Sequence, residues 1–124
     1  IDYRGGISMI FLEYPKCSTC IKAKKYLISN NIDFTDRHII ESNPSYDELK
    51  LWYDNSGIDI NRMFNTSGKV YKELGLSKKL KEMSTEDKLK LLSSDGKLIK
   101  RPLIIENDRI ICLGFKEEEY SKLL

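Results

Sequence analysis

Long hydrophobic runs are absent from this sequence, and cysteine and histidine are scarce. No apolar stretch approaches the roughly 20 residues that span a bilayer, so we expect no membrane segment. Three cysteines are too few, and odd in number, for the disulfide framework of a small secreted protein, which favours a reducing cytoplasm. A net charge of +2 gives only a weak field, so we expect no direct DNA binding.

The remaining composition is that of an ordinary folded domain. The chain is 40% hydrophobic and 32% charged over 124 residues, which describes one globular domain rather than two. The first eight residues have two glycines and little periodicity, and they lack the apolar core of a signal peptide. We therefore expect a leader or a cloning remnant over residues 1–8 and a single domain over residues 9–124.

The motif that says most about chemistry is Cys17-Ser18-Thr19-Cys20. The apolar run Met9–Leu12 predicts a strand before it, and Ser18–Ser29 predicts a helix. A helix N-terminus stabilises an anion through its free N–H groups and dipole, so it lowers the pKa of a thiol placed there. We predict that Cys17 is the attacking thiolate, that Lys16 adds a neighbouring positive charge, and that Cys20 is the resolving thiol.

Two cysteines at this spacing can also form half of a zinc site. A tetrahedral site needs two further ligands, and only Cys112 and His38 remain in the sequence. These two residues do not form a paired-ligand motif, so we expect no metal. Cys112 lies within an apolar run and is predicted to be a buried structural thiol, and His38 is predicted to be a structural side chain.

The order of the predicted elements indicates an α/β fold. Strands near 9–14 and 32–40 flank the first helix. Strand patterns then vanish over about 58–95, where short helices predict an inserted helical block. A hairpin over 98–105 and 109–113 follows. A terminal helix over 116–124, predicted to face inward with Tyr120, Leu123 and Leu124, completes the pattern. This order predicts a thioredoxin-like (glutaredoxin-like) four-stranded mixed sheet with helices on both faces.

Two helices carry more specific signals. Ser45 and Glu48 have the spacing of a capping box, which predicts a second helix from this point to about residue 55. The first helix is predicted to have an apolar side formed by Ile21, Leu27 and Ile28 with Ala23 and Tyr26. The lysines of that helix are predicted to form a solvated face, with a partner-binding or thiolate-stabilising patch as the alternative; they are Lys22, Lys24 and Lys25.

Arg101-Pro102 opens the third predicted strand. Proline belongs at a strand start or edge because it cannot donate to the ladder. In thioredoxin-type folds a cis proline at this point faces the reactive cysteine, which would aim Arg101 at Cys17. A guanidinium there would lower the thiolate pKa, bind an anionic substrate, or both. The alternative is a surface arginine before a rigid turn.

The sequence resembles the arsenate reductase/Spx family of thioredoxin-fold proteins. The stretches that carry the resemblance are YPKCSTCIKAKKYL, FNTSGKVYKELGL, LLSSDGKLIKRPLI and LGFKEEEY. They extend over nearly all of residues 9–124 and are most similar to the small branch with a C-x-x-C motif. The resemblance implies that the family's nucleophile falls on Cys17, its Arg-Pro-Leu arginine on Arg101, and that Pro102 is cis. Spx-type members switch between dithiol and disulfide, which implies the same for Cys17 and Cys20.

Two positions depart from the pattern that arsenate reduction requires. Glutaredoxin-linked arsenate reductases hold the oxyanion with three arginines, and the resemblance places the other two at Asn65 and Phe115. A single guanidinium is expected to bind an arsenate dianion poorly, because several charge-assisted hydrogen bonds are needed to offset its desolvation. The sequence therefore disfavours arsenate as the substrate.

We predict a cytoplasmic thiol–disulfide redox protein. The predicted catalytic residues are Cys17, Cys20 and Arg101. The predicted substrate contacts are Lys16, Ser18, Thr19 and Pro102. The partners implied are a thiol or disulfide substrate and glutathione, glutaredoxin or thioredoxin, with no cofactor beyond glutathione as a co-substrate. The alternatives are a Spx-like redox-sensing regulator that binds RNA polymerase, and a glutathione- and glutaredoxin-dependent arsenate reductase.

Overall fold

The computed structural model describes residues 9–124, and the predicted leader, residues 1–8, lies outside the described residues. The sheet has four strands: β1 (Met9–Glu13), β2 (Thr35–His38), β3 (Leu103–Glu106) and β4 (Arg109–Leu113). Their spatial order is β2-β1-β3-β4. β1 runs parallel to β2 and antiparallel to β3, and β3 and β4 are antiparallel. The predicted thioredoxin-like α/β fold with a four-stranded mixed sheet is confirmed.

Helices occupy the connections between the strands. Within residues 9–124 the α-helices are α1 (Ser18–Ser29), α2 (Tyr46–Ser56), α3 (Lys69–Glu73), α4 (Leu76–Lys79), α5 (Thr85–Ser94) and α6 (Glu117–Tyr120). Short 3₁₀ helices cover Ile60–Met63, Leu80–Glu82, Gly96–Leu98 and Ser121–Leu123. The elements from Ile60 to Leu98 form the predicted helical insert between β2 and β3. In the part of the chain described, no helix is long and apolar enough to cross a bilayer.

The sheet separates two hydrophobic cores, because successive side chains of a strand point to opposite faces. Leu12 and Leu103 lie in the larger core with buried residues of α2, α4 and α5. Phe11, Ile104 and Cys112 lie in the smaller core beneath α1 and α6. β1 is therefore covered on both faces. Because it is also an inner strand of the sheet, the loop from its carboxyl end to α1 lies between neighbouring strands and not at a sheet edge.

The predicted capping box at the start of α2 is confirmed. Ser45 Oγ accepts a hydrogen bond from the Glu48 N–H at 3.1 Å, and Glu48 Oε1 accepts one from the Ser45 N–H at 3.0 Å. The same carboxylate receives two 2.8 Å bonds from Arg37 on β2. Gly57 ends the helix with φ +68, a left-handed conformation that glycine adopts without steric cost.

Several predicted boundaries and faces are wrong. The third strand begins at Leu103, because Gly96–Leu98 forms a 3₁₀ turn in which the Asp95 carboxylate accepts from the Lys97 N–H. Ile21 and Ile28 are 44% and 59% exposed. Ala23 and Leu27 are buried as predicted, and Cys20, at helical spacing from both, completes the buried side of α1.

Candidate active site

Three segments meet at the carboxyl end of β1. They are the β1–α1 loop with Cys17, the segment before β3 with Arg101, and the residues that follow β4. The Gly114 N–H donates to the Pro102 carbonyl at 2.8 Å, which joins the second segment to the third. The Arg101–Pro102 peptide bond is cis, as predicted. The segments enclose a cleft of about 330 Å³ that exposes Cys17 to solvent.

The helical insert supplies another wall of the cleft. The Lys100 N–H donates to the Met63 carbonyl at 2.7 Å, and the Asn65 N–H donates to the Leu98 carbonyl at 2.8 Å. Asn65, Ser67 and Gly68 line the cleft as a result. Gly68 lies close to Asn65, since a Cβ on it would be 2.6 Å from the Asn65 side-chain nitrogen and would displace that amide.

Cys17 occupies the N-cap position of α1 with extended backbone angles, φ −85 and ψ 125. Its side chain is half-buried. Burial alone would raise the pKa of this thiol, but hydrogen bonds from the Cys20 backbone and side chain, from Arg101 and from the Thr19 backbone lower the pKa below its ordinary value. The helix N-terminus thus has the effect on Cys17 that the sequence predicts.

Cys20 lies one helical turn later and is fully buried. Burial is the main cause that raises its pKa to about 12, and the neighbouring Cys17 sulfur adds to the rise. Cys20 is therefore a neutral thiol that donates its S–H to the Cys17 thiolate. Both residues are free thiols in this structure. Their pKa values are moved in opposite directions, which suits an attacking thiol paired with a resolving thiol.

Arg101 is half-buried and lines the cleft. Its guanidinium carbon lies 5.1 Å from the centre of the Tyr14 ring. Its side chain also hydrogen-bonds to Cys17. The ring thus restrains the guanidinium on the side of the thiolate, and the structure does not place Arg101 as an isolated surface arginine.

Only some of the predicted substrate-contact residues lie at the cleft beside Cys17. Thr19 lines the cleft, and its backbone acts on the Cys17 sulfur. Pro102 is buried and does not line the cleft, although its carbonyl accepts a hydrogen bond from the Gly114 N–H. Lys16 and Ser18 are exposed on the β1–α1 loop but do not line the cleft. The structure therefore brings together Cys17, Cys20, Thr19 and Arg101, and leaves Lys16 and Ser18 at its margin.

The two positions that lack the family's arginines both face the cleft. The backbone N–H of Asn65 donates to the Leu98 carbonyl. The Ser67 hydroxyl lies 3.3 Å from the Asn65 side-chain oxygen. Phe115 packs edge-on against Tyr120, with ring centres 4.8 Å apart. An uncharged amide and an aromatic ring thus stand where the expected guanidinium groups would be.

Two basic residues in the cleft were not predicted from the sequence. Lys100 precedes Arg101, and Lys116 follows Phe115; both line the cleft with Arg101. Lys100 directly precedes the Arg-Pro dipeptide in the sequence, but a lysine next to a motif does not by itself indicate a substrate-binding residue. Only the return of the chain after β4 brings Lys116 to the same wall.

An acidic side chain also lies next to the cysteine pair. Glu13 is 2% exposed and is the only buried charged residue among residues 9–124. Lys24 Nζ lies 3.1 Å from Glu13 Oε2 and also binds Asp36, so Lys24 is not part of a purely solvated face as predicted. Burial, followed by a hydrogen bond with Asp36, raises the pKa of Glu13 to about 7.

The residues considered for a zinc site do not assemble. Cys112 is buried in the smaller core, as predicted, and burial raises its pKa to about 11. His38 Nδ1 accepts hydrogen bonds from the Ile40 and Glu41 N–H groups, both at 3.1 Å, which is a structural role. Residues 9–124 contain no cluster of three or more metal-ligating side chains.

Comparison with known proteins identifies relatives over almost the whole chain. The model of the ArsC family matches residues 12–123. The uncharacterized protein YusI of Bacillus subtilis (strain 168) is 47% identical over 116 residues, which cover 94% of this chain and 98% of YusI. The global transcriptional regulator Spx of Staphylococcus aureus (strain COL) is 26% identical over 110 residues, which cover 89% of this chain and 82% of Spx.

The fold agrees with these sequence relationships. The crystal structure of an ArsC family related protein from Bacteroides fragilis superposes with a TM-score of 0.89 at 51% identity, over 94% of this chain and 98% of that chain. The resemblance to the arsenate reductase/Spx family that the sequence motifs indicated is confirmed. Sequence and structure together establish that the chain belongs to the ArsC family.

Proposed function

We propose that the protein is a cytoplasmic thiol–disulfide oxidoreductase in which Cys17 attacks and Cys20 resolves. The observation that carries the proposal is the position of Cys17 at the N-terminus of α1, with a lowered pKa, beside Arg101 and above the buried thiol of Cys20. A thiolate at neutral pH, exposed in a cleft and paired with a second thiol, is suited to exchange with a substrate disulfide.

The reaction starts with in-line attack of the Cys17 thiolate on one sulfur of a substrate disulfide. The Cys17–substrate S–S bond forms as the substrate S–S bond breaks, and the first thiolate leaves and takes a proton from solvent. The Cys20 sulfur then loses its proton to solvent and attacks Cys17 Sγ. The second substrate thiolate leaves, and a Cys17–Cys20 disulfide remains, so two electrons pass from the protein to the substrate.

The environment of Cys20 supports this order of events. While Cys17 is a thiolate, its charge is among the causes that raise the pKa of Cys20, so Cys20 does not compete as a nucleophile. Formation of the mixed disulfide removes that charge. The pKa of Cys20 then falls, so a larger fraction of Cys20 becomes a thiolate. Cys20 is therefore activated only once the substrate is bound to Cys17.

Arg101 stabilises the Cys17 thiolate before the attack. During exchange it stabilises the negative charge that develops on the leaving sulfur. Tyr14 restrains the guanidinium, and Thr19 forms part of the wall against which the substrate lies. The oxidised protein needs a dithiol or thiol reductant, and glutathione, glutaredoxin or thioredoxin would supply the two electrons. No bound cofactor is required by this scheme.

The proposal is tested by the reduction potential of the Cys17–Cys20 pair and by turnover of a disulfide substrate with a dithiol donor. A potential of roughly −180 to −270 mV would support exchange with cellular thiol systems. The Cys17→Ser variant is expected to lose turnover, and Cys112→Ser is the matched control with one other thiol removed. Turnover that survives in Cys17→Ser would refute the proposal.

A second candidate is a redox-sensing regulator that binds RNA polymerase. The similarity to a protein named a global transcriptional regulator favours it. In that case the dithiol and disulfide forms would differ in affinity for RNA polymerase. Retention of the polymerase by one immobilised form, together with absence of turnover, would select this candidate over the oxidoreductase.

Arsenate reduction is the least supported activity. Asn65 and Phe115 leave Arg101 as the only guanidinium lining the cleft within residues 9–124. We expect no arsenate-dependent oxidation of glutathione in the presence of glutaredoxin. Oxidation that depends on both arsenate and Cys17 would reverse this assignment.

A further inference from the structure

The cleft at Cys17 is positively charged. Lys100, Arg101 and Lys116 line it, and its lining contains no aspartate or glutamate among the described residues. Within residues 9–124, no carboxylate lies within 4 Å of these three cationic groups. No carboxylate of the described residues therefore neutralises these three charges in the cleft.

The position of Lys100 is set by the backbone on which it lies. Gly114, with φ +78, has no side chain, and a Cβ on it would be 3.2 Å from Lys100 Cε and 3.7 Å from Nζ. The aliphatic part of Lys100 thus crosses directly over Gly114. The bond from the Gly114 N–H to the Pro102 carbonyl fixes that surface against the Arg101 segment. The Lys100 ammonium therefore lies beside Gly114, at the wall of the cleft.

The three cations have different tasks. Arg101 is engaged by Cys17 and by the Tyr14 ring, so it serves the reacting sulfur. Lys100 and Lys116 are not among the groups that lower the pKa of Cys17. Asn65 and Ser67, which also line the cleft, are uncharged. Two ammonium groups act as compact charges with rotatable donors, which suits carboxylates of varied geometry better than it suits bidentate recognition of one oxyanion.

We propose that Lys100 and Lys116 make this cleft selective for disulfides that carry carboxylates a few bonds from the reacting sulfur. The inference rests on the proposed thiol–disulfide exchange and names its substrate class. The shared chemistry is a carboxylate beside a disulfide sulfur, whether in a small disulfide or in an acidic peptide segment.

The test compares three small disulfides of different charge. They are dithiodipropionate, which is anionic, bis(2-hydroxyethyl) disulfide, which is neutral, and cystamine, which is cationic. Each rate constant for oxidation of the reduced protein is divided by the rate constant of the same disulfide with a small neutral thiol, which removes intrinsic reactivity. We expect the normalised rate to be about tenfold higher for the anionic than for the neutral disulfide at low salt, and lowest for cystamine.

The variant Lys100→Gln/Lys116→Gln tests whether these lysines cause the preference. We expect it to bring the normalised anionic rate to within about twofold of the neutral rate, because two charges no longer attract the carboxylates. Lys78→Gln/Lys79→Gln is the matched control, since it removes two charges from α4, outside the cleft. The control is expected to keep the preference.

Salt provides a readout that needs no variant. The preference of the unmodified protein should shrink as salt rises, because the Debye length falls from about 10 Å at 0.1 M to about 3 Å at 1 M. Equal normalised rates for the three disulfides, or a preference that Lys100→Gln/Lys116→Gln retains, would overturn the inference while leaving exchange intact. Failure of the neutral disulfide to oxidise Cys17 would instead overturn the proposed function, and the inference with it.

A final comparison distinguishes the sources of the carboxylate. Mixed disulfides of two short peptides are used, one with aspartate on both sides of its cysteine and one with serine at those positions. For each pair, the normalised rate constant of the acidic disulfide is divided by that of the neutral one. A larger ratio for the peptides than for the small disulfides assigns the site to acidic protein segments. A smaller ratio assigns it to small disulfides. Both results support carboxylate recognition, and a ratio of one in both pairs contradicts it.

Discussion

The guanidinium carbon of Arg101 lies 5.1 Å from the centre of the Tyr14 ring, and Arg101 also helps to lower the pKa of Cys17. Tyr14 also accepts a 2.9 Å hydrogen bond from the Cys17 N–H and acts through its own backbone on Cys20. One residue of the β1–α1 loop therefore positions the arginine and both cysteines.

Replacement of Arg101 by lysine tests this arrangement. Arg101→Lys keeps the positive charge but loses the planar fork and its stacking on the ring, so we expect the Cys17 pKa to rise. The midpoint of the pH-dependent alkylation rate should move upward by about half a pH unit to one. Tyr14→Phe, which keeps the ring, is the matched control. An unchanged midpoint in Arg101→Lys would show that the guanidinium does not act on the thiolate.

The three cysteines should differ sharply in reactivity. With limiting iodoacetamide at pH 7, we expect Cys17 to be alkylated first, because it is exposed in the cleft and its pKa is lowered. Cys20 and Cys112 are buried with pKa values raised to about 12 and 11 and should stay unmodified while the protein is folded. Mass spectrometry of peptides locates the label. Early labelling of Cys112 would contradict its burial.

Removal of the resolving thiol should arrest exchange midway. In Cys20→Ser, Cys17 still attacks a substrate disulfide, but nothing displaces the substrate, so a stable mixed disulfide at Cys17 is expected. Intact-mass measurement after non-reducing quench detects it. Cys112→Ser should release the substrate as the unmodified protein does. Release at an unchanged rate in Cys20→Ser would remove Cys20 from the mechanism.

Glu13 should make stability depend on pH. Its pKa is raised from 4.5 to about 7 by burial and by Asp36, so the folded state binds more protons than the unfolded state between these values. The free energy of unfolding contributed by this group is full below about pH 4.5 and is lost as the pH rises towards 7. Glu13→Gln cannot titrate and should show a smaller fall over that window in urea unfolding. Glu118→Gln, at an exposed position, is the control. Equal falls in both variants would contradict the assignment.

The capping box at α2 should contribute measurably to stability. Ser45→Ala removes the acceptor for the Glu48 N–H, and we expect a loss of about 1 kcal/mol in the free energy of unfolding. Ser29→Ala, at an exposed position near the end of α1, should change it by less than about 0.5 kcal/mol. Denaturant titration measures both. Equal effects would mean that the cap is not a stabilising feature.

Local signals were sufficient for much of the fold. The prediction of α1 at Ser18–Ser29 agrees with the structure at both ends, because its start and end are encoded by neighbouring residues. Cys17 occupies the N-cap position, and Asn31 has the left-handed φ of +56 expected where the helix closes. The capping box of α2 was likewise predicted from residues close in sequence, whereas the cis bond before Pro102 was implied by the resemblance to the family.

Predictions that depended on packing were less accurate. Leu124 is 69% exposed although it was predicted to face inward, because α6 ends at Tyr120 and that residue already covers the smaller core. Lys24 was assigned to a solvated face, but β1 places the buried Glu13 opposite it. A helical pattern shows which residues share a face, and only the neighbouring elements decide what that face meets.

The sequence by itself determined the α/β class and the order of strands and helices. It also predicted Cys17, Cys20 and Arg101 as the reactive groups, because a thiol pair at a strand–helix junction and an Arg-Pro before a strand are local features. Only the tertiary structure decided the charge of the cleft. Lys100 and Lys116 are 16 residues apart, and the β3–β4 hairpin returns the chain so that both line one cleft. Long-range pairing brings such residues together, and no local pattern encodes it.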